Sequence, residues 1–123
     1  FLDENIVAFQ EWDTAIRLAR FYPFGFQPEP TFIWDCRYPD TISKDFIRNG
    51  KGYEQVFLKH FWAILRYLGP SALARHYRLA ARWYQRGGDM QSERRCNLKA
   101  FIWSSVDPRT AVSRIKRLLK VKV

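Results

Sequence analysis

A chain of 123 residues with 47% hydrophobic side chains is long enough to bury one core and too apolar to be disordered. No run of about 18 uncharged apolar residues occurs, because Lys59, His60 and Arg66 interrupt the best stretch, and this excludes a membrane-spanning helix. Net charge is +9, divided as −3 over residues 1–50 (5 Lys and Arg against 8 Asp and Glu) and +12 over residues 51–123 (16 against 4).

The spacing predicts a first helix that runs from Asp3 or Asn5, either of which can cap it, to about Tyr22. Ile6, Phe9, Ile16 and Ala19 recur near helical intervals, with Trp12 alongside. Pro23 stops it.

Residues 23–52 then read as an extended segment, because Pro23, Pro28, Pro30 and Pro39 exclude a long helix. A short strand at Thr31–Trp34 fits within it. Phe24, Phe26, Phe32, Trp34 and Tyr38 alternate with these prolines and argue against a solvated linker, so they are the candidate protein interface. The Asn49-Gly50-Lys51-Gly52 run reads as a turn.

Residues 53–123 read as a helical bundle. A second helix is expected over Tyr53–Leu68, with Phe57, Phe61, Ile64, Leu65 and Leu68 on its buried face, ended by Gly69-Pro70. A third, capped by Ser71, runs to Arg86. A fourth starts at Asp89 or Ser92 and reaches about Ser104. Asp107-Pro108 opens a fifth, basic helix to about Lys122, with Ala111, Val112, Ile115, Leu118 and Leu119 as its apolar stripe. That stripe needs an apolar surface, and the outer side of the fourth helix around Leu98, Phe101 and Ile102 supplies one. The expectation is a single all-α domain over 1–123, a small bundle of about five helices with an irregular Pro- and aromatic-rich segment after the first.

Little in the chain speaks for catalysis. There is no Gly-x-Ser-x-Gly elbow, His-Glu-x-x-His pair or glycine-rich nucleotide loop. Asp35 with Asp40, or Asp13 with Asp45, are carboxylates that need no acid–base role. His60, His76, Cys36 and Cys96 lack the tight spacing of a structural zinc site, so neither a metal nor a cofactor is expected. Two cysteines are too few for a disulfide scaffold, and they suit a reducing compartment.

The charge pattern is more pointed. Arg75, Arg78, Arg82 and Arg86 follow at intervals of three and four, along one face of the third expected helix. Ala72, His76, Leu79, Ala80 and Trp83 are expected opposite them. With Arg114 and Arg117 of the fifth helix, this row is the candidate site for an anionic partner: acidic protein, lipid headgroup or RNA. A solvated face is the alternative. Arg outnumbers Lys 14 to 7, which favours a specific contact over simple solubility.

Residues 74–108 resemble a single tetratricopeptide-type helical hairpin. Tyr77, Ala81, Tyr84, Gly88-Asp89 and Lys99-Ala100 stand in that family's order of aromatic, small residue, helix-ending Tyr, turn and late Lys-Ala pair. Glu93 replaces the usual small Ala, Asp107-Pro108 comes two residues late, and no second copy follows. The resemblance implies a protein-binding scaffold.

These readings converge on a non-catalytic structural or accessory subunit of a larger assembly. Aromatic residues make up 17% of the chain, more than so small a core hides. Charge, aromatic content and a start at Phe1 rather than Met point to a mitochondrial membrane complex, respiratory or ATP-synthesising, with the subunit peripheral to the inner membrane or in the matrix. The alternative is an RNA-associated protein such as an organellar ribosome component. Against it, most aromatics lie in the acidic half, away from the arginine row.

Overall fold

The computed structural model describes residues 2–31 and 44–106. Five α-helices account for its regular structure, with no strand among the described residues: α1 Gln10–Leu18, α2 Phe46–Lys59, α3 Phe61–Leu68, α4 Pro70–Gly87 and α5 Met90–Val106. The all-α expectation holds, but the helices fall differently along the chain. The fifth expected helix, over 108–122, lies outside the described residues, and so does most of the strand considered at Thr31–Trp34.

The N-terminal residues are an arm rather than the start of a helix. Asp3 folds back on Asn5, its Oδ1 accepting from the Asn5 backbone N–H at 3.0 Å and from Nδ2 at 3.2 Å, which competes with a helical turn. The arm then lies along α2. Gln55 accepts from the Val7 N–H at 3.0 Å, and Arg48 Nε donates to the Val7 carbonyl at 2.7 Å. Ile6 is buried beneath it. Helix α1 starts only after Phe9, whose φ of 64° is an uncommon left-handed conformation for an aromatic residue. Ring contacts with Trp12 at 4.8 Å and Tyr53 at 5.9 Å hold it there.

The Asn49–Gly52 run is helical, contrary to the expected turn. Asp45 caps α2 by accepting from the Arg48 N–H at 2.9 Å, so the helix begins seven residues before Tyr53. The glycines serve close approach. A Cβ on Gly50 would stand 3.1 Å from the Tyr84 ring of α4, and one on Gly52 would meet the Ala8 backbone of the arm at 2.6 Å. Packing on both sides outweighs the cost of about 1 kcal/mol that each glycine carries in a helix.

The helix expected over 53–68 is two helices that meet at His60, whose φ of −100° and ψ of 15° end α2 and begin α3. The buried face shifts accordingly. Tyr53, Val56 and Phe57 are enclosed, whereas Leu68, expected in the core, is exposed. Between α3 and α4, Gly69 adopts φ 81° and ψ 178°, a conformation open to glycine alone. Helix α4 then starts at Pro70 with no side-chain cap, so Ser71 is not the capping residue. Asp89 does cap α5, its Oδ1 accepting from the Ser92 N–H at 3.0 Å.

The core is aromatic outside and small inside. Tyr53, Phe57, Tyr77 and Tyr84 surround Ala80, Ala81, Cys96 and Ala100. The small residues let α4 and α5 run side by side after the turn at Gly88 and Asp89, with Lys99 5.3 Å from the Tyr77 ring. A helical hairpin is thus present over residues 70–106.

Candidate functional site

Charged, apolar and buried acidic side chains form three separate arrangements in the fold. The first is the arginine row. Arg75, Arg78 and Arg82 line a recess of about 310 Å³ on the outer side of α4, with Leu79 between them. All three are exposed, and none forms an ion pair among the described residues. Helix α4 contains no carboxylate that could neutralise them. Arg86, a turn further on, lies 5.7 Å from the centre of the Trp83 ring. The row is therefore one face, as its spacing implies. Leu79 was expected opposite but shares that face, since it follows Arg75 by four positions and precedes Arg82 by three. Arg114 and Arg117 lie outside the described residues.

The second is an apolar groove between α1, α2 and α3. Trp12, Ile16, Val56, Phe57, Ile64 and Tyr67 line a cavity of about 380 Å³ that opens to solvent. Helix α3, Phe-Trp-Ala-Ile-Leu-Arg-Tyr-Leu, forms one wall and has no buried residue. Trp62 is 77% exposed and Tyr67 76%. Within the groove the Tyr53 hydroxyl lies 2.7 Å from His76 Nδ1. Burial, assisted by the charge of Arg75, lowers the His76 pKa and favours the neutral ring in that hydrogen bond. Burial also pushes the Tyr53 hydroxyl up to about 12.

The third comprises two buried carboxylates, Asp13 and Glu54. Asp13 is fully enclosed and accepts from His60 Nε2 at 2.8 Å, Lys59 Nζ at 2.9 Å and Arg17 Nε at 2.9 Å. Burial alone would raise its pKa. Hydrogen bonds from Lys59 and His60, with the charges of Lys59 and Arg17, outweigh burial and hold the carboxyl below the usual aspartate range. Because an ionised carboxylate only accepts, His60 Nε2 carries the proton. Glu54 on α2 accepts from Arg95 at 2.6 Å and from the Tyr84 hydroxyl at 3.1 Å, clipping α2 to both α4 and α5.

Both carboxylates join helices, and Glu54 Oε2 also accepts from the Cys96 thiol at 4.0 Å. Asp13 and Asp45 do not pair, since one is enclosed by cations and the other caps α2. Burial, reinforced by the charge of Glu54, pushes the Cys96 thiol up to about 11, which keeps it protonated and unreactive. His60 and His76 belong to separate hydrogen-bonded pairs.

Of the expected protein interface, Phe24 and Phe26 are described. Both are exposed, Phe26 at 91%. Phe32, Trp34 and Tyr38 lie outside the described residues. The exposed wall of α3 was not foreseen. Its signal was the lack of a polar face: Arg66 is its one charged residue.

No helix among the described residues is long and apolar enough to cross a membrane. No family model matches the chain, and no curated protein or solved structure matches it.

Proposed function

We propose that this chain is a non-catalytic accessory subunit that holds neighbouring proteins together in a larger assembly. The observation that carries this reading is α3. It is the most apolar helix of the fold, yet none of its residues is buried, and Trp62, Tyr67 and Leu68 face outward around an open apolar groove. Exposed aromatics next to a groove are what protein interfaces use as anchors. The proposed setting remains a mitochondrial membrane complex, met peripherally, on the grounds of charge and aromatic content.

The test is purification of the tagged full chain from its own cells, comparing wild type with a W62S/Y67S/L68S variant. Co-migration of defined subunits at a fixed ratio that the variant loses is the expected result. A wild-type chain that sediments as a free monomer from fresh extract overturns the reading.

The arginine recess favours a second reading, an RNA-associated subunit, because three unneutralised guanidinium groups on one face suit a phosphate backbone. It requires binding to single-stranded RNA that falls steeply as salt rises. A flat response to salt discards it.

A further inference from the structure

The described residues that line the groove between α1, α2 and α3 include no Lys, Arg, Asp or Glu, in a chain of which 27% is charged. Its walls are tied to one another. Asp13 of α1 meets His60, at the junction of α2 and α3, at 2.8 Å, and the Trp12 and Tyr53 rings meet edge to face at 5.9 Å. The fold therefore sets the shape of the groove before anything enters it, as in most small-molecule sites.

Two nearly buried polar groups interrupt this apolar lining. The Tyr53 hydroxyl, 2.7 Å from His76 Nδ1, makes one hydrogen bond and has capacity for another. Whether that second bond is donated or accepted follows from which His76 nitrogen carries the proton. His60, 5% exposed, binds Asp13 through Nε2, while its Nδ1 has no partner among the described residues. Buried polar atoms without a partner are rare in folded chains. A hydroxyl both donates and accepts, so it suits Tyr53 in either tautomer of His76.

We propose that the groove binds a small, uncharged, mainly apolar alcohol or phenol, whose hydroxyl bonds to Tyr53. A dry cavity of about 150 Å³ holds benzene, so the roughly 380 Å³ here holds about 15 non-hydrogen atoms, the size of two rings with a short substituent. An ionised ligand is disfavoured, because no charge in the lining compensates the one it would take out of water. A pure hydrocarbon would leave the remaining capacity of Tyr53 unused. This occupant is independent of the subunit reading, which rests on the outward Trp62, Tyr67 and Leu68 and on co-purification.

Equilibrium dialysis of the full chain against naphthol, naphthalene and naphthoate tests this, since the three share a ring system and differ in hydroxyl and charge. Naphthol is expected to bind about fivefold tighter than naphthalene, and naphthoate weakest. Tyr53→Phe should bring naphthol to within about twofold of naphthalene and leave naphthalene itself unchanged. Ala63→Trp, which fills the groove from α3, should weaken naphthol and naphthalene by tenfold or more while circular dichroism stays that of wild type. If that variant does not fold, Ile16→Trp fills the groove from the α1 wall. The absence of saturable naphthol binding below about 1 mM overturns the proposal. So does naphthalene or naphthoate binding as tightly as naphthol, a naphthol preference that survives Tyr53→Phe, or an unchanged affinity in the filled variant. A wild-type chain that is dimeric by sedimentation and monomeric as Ala63→Trp assigns the groove to a second copy and overturns it as well.

Discussion

Asp13 and His60 meet at 2.8 Å across 47 positions of sequence, joining α1 to the junction of α2 and α3. The aspartate is wholly enclosed, and its other oxygen, Oδ2, accepts from both Lys59 and Arg17. The bend at His60 is therefore anchored from outside its own helices.

Replacing Asp13 by Asn keeps the shape but removes the charge that three donors share. A loss of about 2–3 kcal/mol is expected, the range for hydrogen bonds to charged groups, with the contributions of the more exposed Lys59 and Arg17 reduced by solvent screening. Urea denaturation of D13N against wild type measures it. An unchanged midpoint would mean that α1 does not depend on this carboxylate.

Gly52 is the second point of attachment for the N-terminal arm. In an ordinary helix Gly→Ala stabilises by up to about 1 kcal/mol. Here the added methyl would stand 2.6 Å from the backbone N and O of Ala8, so the arm must move and the sign reverses. G52A should lose about 1–3 kcal/mol and expose residues 2–9 to limited proteolysis. A G52A variant more stable than wild type would show that the arm is not seated on α2.

Acid should release the same arm. Asp3 is held at about 2 rather than the ordinary 3.8, first by its hydrogen bond from Lys59, and Asp13 is lowered as well. The unfolded chain therefore binds more protons between about pH 4 and 2, and stability falls as pH drops through that window. His76 adds an earlier, smaller loss below 6.5, since its neutral form is favoured in the fold and the unfolded chain takes up the proton. Melting temperature against pH should show both declines, and His76→Gln should remove only the upper one. Stability constant from pH 7 to pH 3 would contradict both assignments.

The arginine row should matter for binding and little for folding. Arg75, Arg78 and Arg82 are exposed and unpaired among the described residues, so R75Q/R78Q/R82Q should melt within about 3 °C of wild type. If the recess holds a phosphate backbone, the same variant lowers the slope of log affinity against log salt by about 2, measured with a single-stranded RNA homopolymer. An unaltered slope removes the recess from any such contact.

Helical periodicity and the Gly-Pro and Gly-Gly punctuation, with Asp89 at the start of α5, were enough to read α4 and α5 to within about two residues, because those signals are local, although the cap expected at Ser71 is not used. The arginine row was legible for the same reason, since three- and four-residue intervals define a helix face without knowledge of what packs behind it. What failed needed distant chain. Gly50 and Gly52 read as a turn until Tyr84 and Ala8 come close enough to occupy the space of a side chain. His60 reads as mid-helix until Asp13 reaches it. Asp13 itself reads as a surface acid, because only the folded arrangement brings Lys59, His60 and Arg17 around it and makes burial of a carboxylate affordable. Apolar content likewise said that α3 belongs against something, but tertiary packing alone decided that its own core would cover only part of it: α2, α4 and α5 enclose the small residues of the centre among themselves, and α3 is left at the edge, touching the core through Phe61 and Ile64 with Trp62 and Tyr67 outward.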